Sequence, residues 1–511
     1  MKKILLFLAV INLNFLYSQN LEDKISQMLW PAFDTDQTEK IKKAANENIG
    51  GIQIMWGEYS DEKTRGIIQE LYEITKDSYP PFIAIDYEGG SVYIHQTHNI
   101  LNLPSNMAIG KSEDYKNIPI LFYLLGLELK KLGINTVFSP TADVNTEKYN
   151  PIINVRAFSD DKNIVTKISE MVIDGFTSAG IIPTLKHFPG HGMTRSDSHL
   201  TLPVTDIDPI ELYQTHIYPF KSIIEKKKAD IIMVSHVLYK NIDKDMPASL
   251  SRIIITNILR DQLKYEGVVI TDSLDMKAVT SKYSIEKAAV LAIKNGADMV
   301  LIGKYPVNKV RDEILKALKN REISEQRIEE SYKRIISLKE KYKKNGFRIE
   351  NGLFDMAYKK IANEISFKSI KVIKGNLENI KKSKIAFLLF LPQRFSTEAT
   401  IIYEEMAKNG FDIKITVSNS DKINADNFFE ENKTDLIIIG NYSWPNMNEK
   451  KLKTIKELSK KYNRKIFINF LNPIDSEFLY DDFDTIIETY GINEFSAYSL
   501  AKILNNEKLT E

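Results

Sequence analysis

Four of the chain's seven histidines, His187, His191, His199 and His236, fall within fifty residues of one another. Each stands at or just after a short apolar run, and Lys186, Asp197 and Asp272 stand at similar positions. Imidazoles beside carboxylates are equipped to move protons near neutrality, because the reference pKa of histidine is about 6.5 and a carboxylate can fix its tautomer. An aspartate kept ionised in such a cluster, by cationic Lys186 or by hydrogen-bond donors, can act as a nucleophile. Metal ligation is the first alternative: His187 and His191 are four apart, and Asp197 and His199 complete a possible set. Pro189-Gly190 between the two histidines opposes the continuous helical turn of an i, i+4 metal pair, while a loop site stays open. The expectation is a site with no metal and no cofactor.

The elements that must position these groups read as repeated βα units from about residue 20 to 345. Eight apolar runs are candidate strands: Leu29 to Phe33, Gly51 to Trp56, Phe82 to Asp86, Thr136 to Pro140, Ile181 to Lys186, Ile231 to Ser235, Val268 to Thr271 and Met299 to Ile302. Eight strands with interleaved helices fit a TIM (β/α)8 barrel better than an open sheet, and a barrel carries its reactive groups at the C-terminal strand ends. Strand three ends in Asp86-Tyr87-Glu88-Gly89-Gly90, strand five in Lys186-His187-Phe188-Pro189-Gly190-His191-Gly192, strand six in Ser235-His236 and strand seven in Thr271-Asp272. An aspartate after a strand is often only a helix cap, but four polar strand ends in register are harder to explain that way. Ser284 opens a helical run that stops at Asn295-Gly296. A lysine-rich helix near Tyr332 to Lys344 precedes Asn345-Gly346 and Asn351-Gly352, which mark a connection. The remainder has six apolar runs, at Ile370 to Ile373, Ile385 to Leu391, Ile413 to Val417, Leu436 to Ile439, Ile466 to Phe470 and Thr485 to Ile487. They imply a smaller doubly wound α/β domain without a phosphate-binding glycine loop. The expected division is 1–18 signal peptide, 19–345 barrel, 346–368 linker and 369–511 second α/β domain.

Lys+Arg (69) and Asp+Glu (68) nearly cancel in the 511 residues, so no global field draws nucleic acid or an anionic membrane, and a neutral ligand is the better default. Met1-Lys2-Lys3, the apolar run Ile4 to Ile11 and small Ser18 have the form of a secretory signal, too short to span a bilayer. With no cysteine, neither disulfides nor a lipidated cysteine is available. The expectation is a periplasmic or secreted bacterial protein with no membrane span after signal removal. The sequence is silent on oligomeric state.

Lys186-His187-Phe188-Pro189-Gly190-His191-Gly192 followed by Asp197-Ser198-His199 resembles the signature of family 3 glycoside hydrolases of the β-N-acetylglucosaminidase type. The similarity extends to Ile85 through Gly90, Ser139 through Asn145, Asn150-Pro151 through Arg156-Ala157-Phe158, Met233 through His236 and Val269 through Met276, most of residues 20–305. The resemblance implies a retaining hydrolase that removes terminal β-linked N-acetylglucosamine from a carbohydrate substrate, a peptidoglycan fragment or a chitin-like glycan, through a covalent glycosyl-enzyme. It implies Asp272 as nucleophile and Asp197 with His199 as the acid/base dyad. Asp86, Arg156, Lys186 and His187 match family positions that hold the sugar. His236 is added as a residue that lines the pocket or supports it, His191 is expected to shape its loop, and Asp275 to start a helix.

After Gly90 the family has an arginine-containing stretch, whereas this chain reads Ser91-Val92-Tyr93-Ile94-His95, with His95 or Gln96 as conceivable substitutes. A family 3 β-glucosidase is the nearest competing reading, opposed by Asp197-Ser198-His199. A sugar-binding protein without activity is the second, and phosphate in place of water as acceptor a third.

Overall fold

The computed structural model describes residues 21–55, 58–76, 78–90, 96–97, 102–343, 355–421 and 423–507. Eight parallel strands succeed one another around the first domain: β1 (Leu29–Phe33), β2 (Gly51–Ile54), β3 (Phe82–Ile85), β4 (Thr136–Val137), β5 (Ile182–Phe188), β6 (Ile231–Val234), β7 (Val268–Thr271) and β8 (Val300–Gly303). β1 pairs with both β2 and β8. The circle is closed between β7 and β8 by a bridge from Ile270 to Met299 and by Leu274 N donating to Leu301 O at 2.8 Å. This is the expected TIM barrel. Runs such as Ile231–Val234 and Val268–Thr271 are buried at every residue, as strands must be when helices cover one face and the barrel core the other. Trp30 fills that core, 5.4 Å from the rings of both Phe82 and Phe138.

β4 is shorter than its apolar run, which continues as irregular backbone in which Ser139 O and Pro140 O accept from Thr184 N and Lys186 N. β5 runs on to Phe188, so His187 as well as Lys186 lies within the strand. Between β3 and β4, helix α1 (Asn106–Ser112) begins at Ser105, whose Oγ accepts from Ala108 N at 3.1 Å. Helix α2 (Ile285–Lys294) is capped by Ser284 and ends at Asn295, as its sequence predicts. Helix α3 (Glu325–Lys343) completes the barrel exterior.

Asn345-Gly346 and Asn351-Gly352 lie outside the described residues. Much of the expected linker is instead helix α4 (Asp355–Ser369). Its Tyr358, Ala362 and Ile365 repeat at helical spacing and are buried in the barrel's hydrophobic cluster, so this segment packs as part of the barrel. The second domain is a six-stranded sheet of β9 (Lys371–Lys374), β10 (Lys384–Phe390), β11 (Asp412–Ser418), β12 (Leu436–Asn441), β13 (Arg464–Asn469) and β14 (Thr485–Glu488). The spatial order is β9-β14-β13-β12-β10-β11, parallel except for antiparallel β9 at one edge. Ile385, Phe387 and Leu389 enter one hydrophobic cluster while Ala386, Leu388 and Phe390 enter another, so the two-residue period of β10 feeds a core on each face, as in a doubly wound sheet. Helix α5 (Glu494–Leu504) returns to the barrel, where Phe495 joins the cluster of Tyr358. Among the described residues no helix is long and apolar enough to cross a membrane.

Candidate active site

The C-terminal ends of β2, β3, β5, β7 and β8 surround one cavity lined by Gln53, Asp86, Glu88, Lys186, His187, Asp272 and Gly303, with Arg156 and His199 supplied by loops. Its polar wall starts at Asp86-Tyr87-Glu88. Alternation along the extended chain sends Tyr87 into the core and both carboxylates toward the cavity. Lys186 Nζ lies 2.8 Å from Asp86 Oδ1 and 2.6 Å from Glu88 Oε1. Arg156 grips Glu88 with two nitrogens, Nε to Oε2 at 2.7 Å and Nη2 to Oε1 at 2.8 Å. Gln53 Nε2 donates to Asp86 Oδ2 at 2.8 Å. Burial alone would push the Glu88 carboxyl up, but Arg156 and Lys186 outweigh it and hold it well below the usual carboxylate range. Two cations and two carboxylates balance, and the wall presents directed donors and acceptors without net charge, a surface suited to neutral hydroxyl groups. Lys186 is therefore spent on Asp86 and Glu88, and of the two supports expected for an ionised Asp272, cationic Lys186 or hydrogen-bond donors, the second is met by Ser273 N.

Asp272 follows the last residue of β7, and its Oδ1 accepts from Ser273 N at 2.7 Å. Burial raises its pKa, but His236, His187 and the Ser273 N–H together lower it below the ordinary aspartate value. His236 is fully buried, with Nδ1 on Ser249 Oγ at 2.6 Å and Nε2 on Ser273 O at 2.9 Å. Both ring nitrogens are engaged and the ring stands behind Asp272, outside the cavity lining. His236 thus braces the Asp272-Ser273 turn, supporting the pocket rather than lining it. Asp275 also departs from expectation. The short helix starts at Lys277 with Met276 before it, whereas Asp275 lines the cavity and accepts from Ser273 Oγ at 2.7 Å. Gly303 faces that carboxylate so closely that a Cβ would lie 1.9 Å from Asp275 Oδ2.

His187 Nδ1 is 2.7 Å from Asp143 Oδ2, and Asp143 Oδ1 accepts from His191 N at 2.6 Å. With Asp143 ionised, Nδ1 of His187 carries the proton in this contact. Burial pushes Asp143 up, but His187 and His191 reverse that and lower it. His191 is driven down to about 4 by burial and is neutral at pH 7. Its Nδ1 is 2.8 Å from Thr194 Oγ1 and its Nε2 3.3 Å from Ser198 Oγ, so it pins the loop, and it also lines the cavity. Gly192 permits this loop to pass against Val144, whose carbonyl oxygen a Cβ would meet at 1.9 Å.

Buried Ser198 is flanked by Asp197 and His199. Asp197 Oδ1 accepts from His199 N at 2.8 Å and lies 3.0 Å from His199 Nδ1. Asp197 O accepts from Leu200 N and Thr201 N, so the aspartate both closes a turn and orients the imidazole. Burial raises the Asp197 carboxyl, but hydrogen bonds from His199 lower it overall. The His199 side chain is 40% exposed, against 7% for His187; His199 stands at the cavity mouth and His187 in its wall.

The cavity brings together Asp86, Arg156, Lys186, His187, His199 and Asp272, with Asp197 and His236 one layer back. Sequence reasoning passed over Gln53, Glu88 and Asp143. Glu88 and Asp143 lie in quoted motifs, and reading the end of strand four as well would have found Asp143. Ser91 through His95 lie outside the described residues, and so does the expected signal segment.

Residues 20–338 match the glycosyl hydrolase family 3 N-terminal domain. A β-hexosaminidase A of Pseudoalteromonas piscicida is 31% identical over 340 residues, covering 60% of this chain and 56% of its own length. A β-hexosaminidase of Idiomarina loihiensis is 33% identical over 244 residues, 46% of this chain and 72% of that protein. Among solved structures, a glycoside hydrolase family 3 β-N-acetylglucosaminidase from Paenibacillus sp. str. FPU-7 superposes with a TM-score of 0.86 at 26% identity, covering 95% of this chain and 96% of that one. The family match spans more than half of the chain and the full two-domain architecture recurs in a solved relative: this chain belongs to glycosyl hydrolase family 3.

Proposed function

We propose that the protein is a retaining glycoside hydrolase that removes terminal β-linked N-acetylglucosamine from peptidoglycan fragments or chitin-like glycans outside the cytoplasm. The observation that carries the reading is an aspartate held ionised, Asp272, sharing one cavity with an imidazole oriented by its own aspartate, His199 with Asp197. The β-N-acetylglucosaminidase and β-hexosaminidase names of the relatives support the sugar, and the sequence of residues 1–18 supports export.

The sugar lies against Asp86, Arg156, Lys186 and His187. Asp272 attacks the anomeric carbon while protonated His199 gives its proton to the departing oxygen, leaving a glycosyl ester on Asp272 and a neutral imidazole. The imidazole then takes a proton from water as the water oxygen attacks the same carbon, releasing the sugar with retained configuration and restoring the Asp272 carboxylate. Since Asp197 engages Nδ1, proton transfer falls to Nε2. A neutral imidazole does not repel an anion, so phosphate in place of water is a variant of the second step.

The test is release of 4-nitrophenol from the β-N-acetylglucosaminide and the β-glucoside, with and without a chelator, by the wild type, Asp272→Ala and His199→Ala. Chelator-resistant preference for the acetamido sugar that collapses in Asp272→Ala supports the reading. Preference for the glucoside moves the protein to the β-glucosidase reading, and sugar binding without turnover to an inactive binding protein.

A further inference from the structure

Among the described residues the second domain contributes nothing to the cavity lining, yet two sets of contacts run from it to the same buried carboxylate. The first passes through the turn that carries Arg156. Asn154, in a left-handed conformation at φ +46°, donates from Nδ2 to Pro445 O of the second domain at 3.2 Å. Val155 is buried in the second domain's own hydrophobic cluster, together with Met107 and Ala108 of α1. Asn106 of the same helix donates from Nδ2 to Arg156 O at 2.7 Å. Arg156 then pairs with Glu88.

The second set grips the loop before α1. Asn493 Nδ2 donates to Leu103 O at 2.8 Å, and Ser105 Oγ donates to Tyr490 O at 2.5 Å. Leu103 O also accepts from Gly90 N at 2.6 Å, and Asn102 Nδ2 donates to Gly90 O at 2.6 Å. Gly89, at φ +83°, sits so close to this loop that a Cβ would be 2.4 Å from Leu103 Cβ. Gly89 and Gly90 directly follow Glu88.

We propose that the second domain is the positioning element of the sugar-binding wall: Asn154 and Asn493 are positioning residues that hold Arg156 and Glu88, and through Glu88 the ammonium of Lys186, in register with Asp272. The sugar as ligand rests on the function proposed above; the mechanical coupling does not. A wall held from two sides needs both anchors, because a guanidinium and a carboxylate misplaced by an ångström no longer meet the same hydroxyl groups.

Two variants remove the tethers while keeping local backbone needs. Asn154→Gly keeps a residue at home at positive φ and loses the donor to Pro445 O. Asn493→Ser keeps a side chain that can cap α5 and loses the donor to Leu103 O. Each is expected to raise KM for 4-nitrophenyl N-acetyl-β-D-glucosaminide about fivefold or more with kcat within about twofold, the signature of lost sugar binding rather than lost chemistry. In a Glu88→Gln background either loss should shrink, since residues acting through one partner are not additive. Hydrogen exchange should quicken at 86–90 in both variants, although each substitution is remote from that segment in sequence. A fall in kcat at unchanged KM, full additivity with Glu88→Gln, or faster exchange confined to the substituted segment would overturn the proposal. Were the wild type to turn over no acetamido substrate, the proposed function would fail, while the exchange comparison would still decide the coupling.

Discussion

One buried carboxylate decides how His187 meets a ligand. Asp143 accepts from the His187 ring and from His191 N, so Asp143→Asn keeps the shape, removes the charge and frees the ring to take the other tautomer. Hydrogen bonds to charged groups contribute about 1.5–3 kcal/mol. The substitution should therefore weaken binding of free N-acetylglucosamine roughly 10- to 150-fold, read by calorimetry, with the fold intact by circular dichroism. A second consequence concerns acid. Asp272 and Asp197 both have folded pKa values below the ordinary carboxylate range, burial being outweighed by His236 and His187 for the first and by His199 for the second. A lowered carboxyl stays charged as pH falls, so the acidic limb of kcat/KM should lie below about pH 3.9, the unperturbed aspartate value. A limb at pH 5 or above, measured on protein that remains folded, would show that Asp272 is not held ionised.

The last strand pair and α3 are locked by a different buried charge. Asp298, fully buried before β8, accepts from Arg327 Nη2 at 2.8 Å, Arg334 Nη1 at 3.1 Å, Ser331 Oγ at 2.9 Å and Val269 N at 2.9 Å, and pairs with Arg260. Removing one partner of such a cluster strands the others, so Asp298→Ala should lose about 3–5 kcal/mol in denaturant unfolding. Burial opposes ionisation, but the three arginines lower the folded pKa of Asp298. Its contribution is then present above the unfolded value of about 3.9 and is lost as pH falls through the lower folded value, so the Tm of the wild type should drop below pH 4. The elements themselves were largely legible. Continuous apolar runs mark buried parallel strands, and β1 and β7 begin and end where Leu29 to Phe33 and Val268 to Thr271 predict. What escaped was set by tertiary placement. α4 was hidden behind two Asn-Gly pairs although Tyr358, Ala362 and Ile365 carry its period. Sequence order alone could not say that His236 faces Ser273 O or that Lys186 turns to Glu88 instead of Asp272.

The two domains share cores rather than merely touching. Met107, Ala108 and Val155 of the barrel are buried in the second domain's cluster, and Phe495 of the second domain in the barrel's. Lys148 pairs with Glu477 at 2.7 Å across the same boundary, an exposed contact that adds little beside shared apolar burial. The full chain should therefore unfold as one cooperative unit, and a change deep in the second domain should move the whole transition. Asp475 offers that change. It is fully buried, accepts from Met447 N at 2.9 Å and from Asn441 Nδ2 at 3.4 Å, and is pushed by burial up to about 7. A carboxyl raised on folding contributes stability fully below its unfolded value of about 3.9 and loses it as pH rises through about 7. The difference is on the order of 4 kcal/mol at most. Asp475→Asn stays neutral at every pH and keeps an acceptor oxygen. Calorimetry should then show a Tm close to wild type near pH 4 and above it at pH 8, in a single transition. A second transition that alone responds to Asp475→Asn would show that the barrel and the second domain unfold separately, and that the shared residues do not weld them.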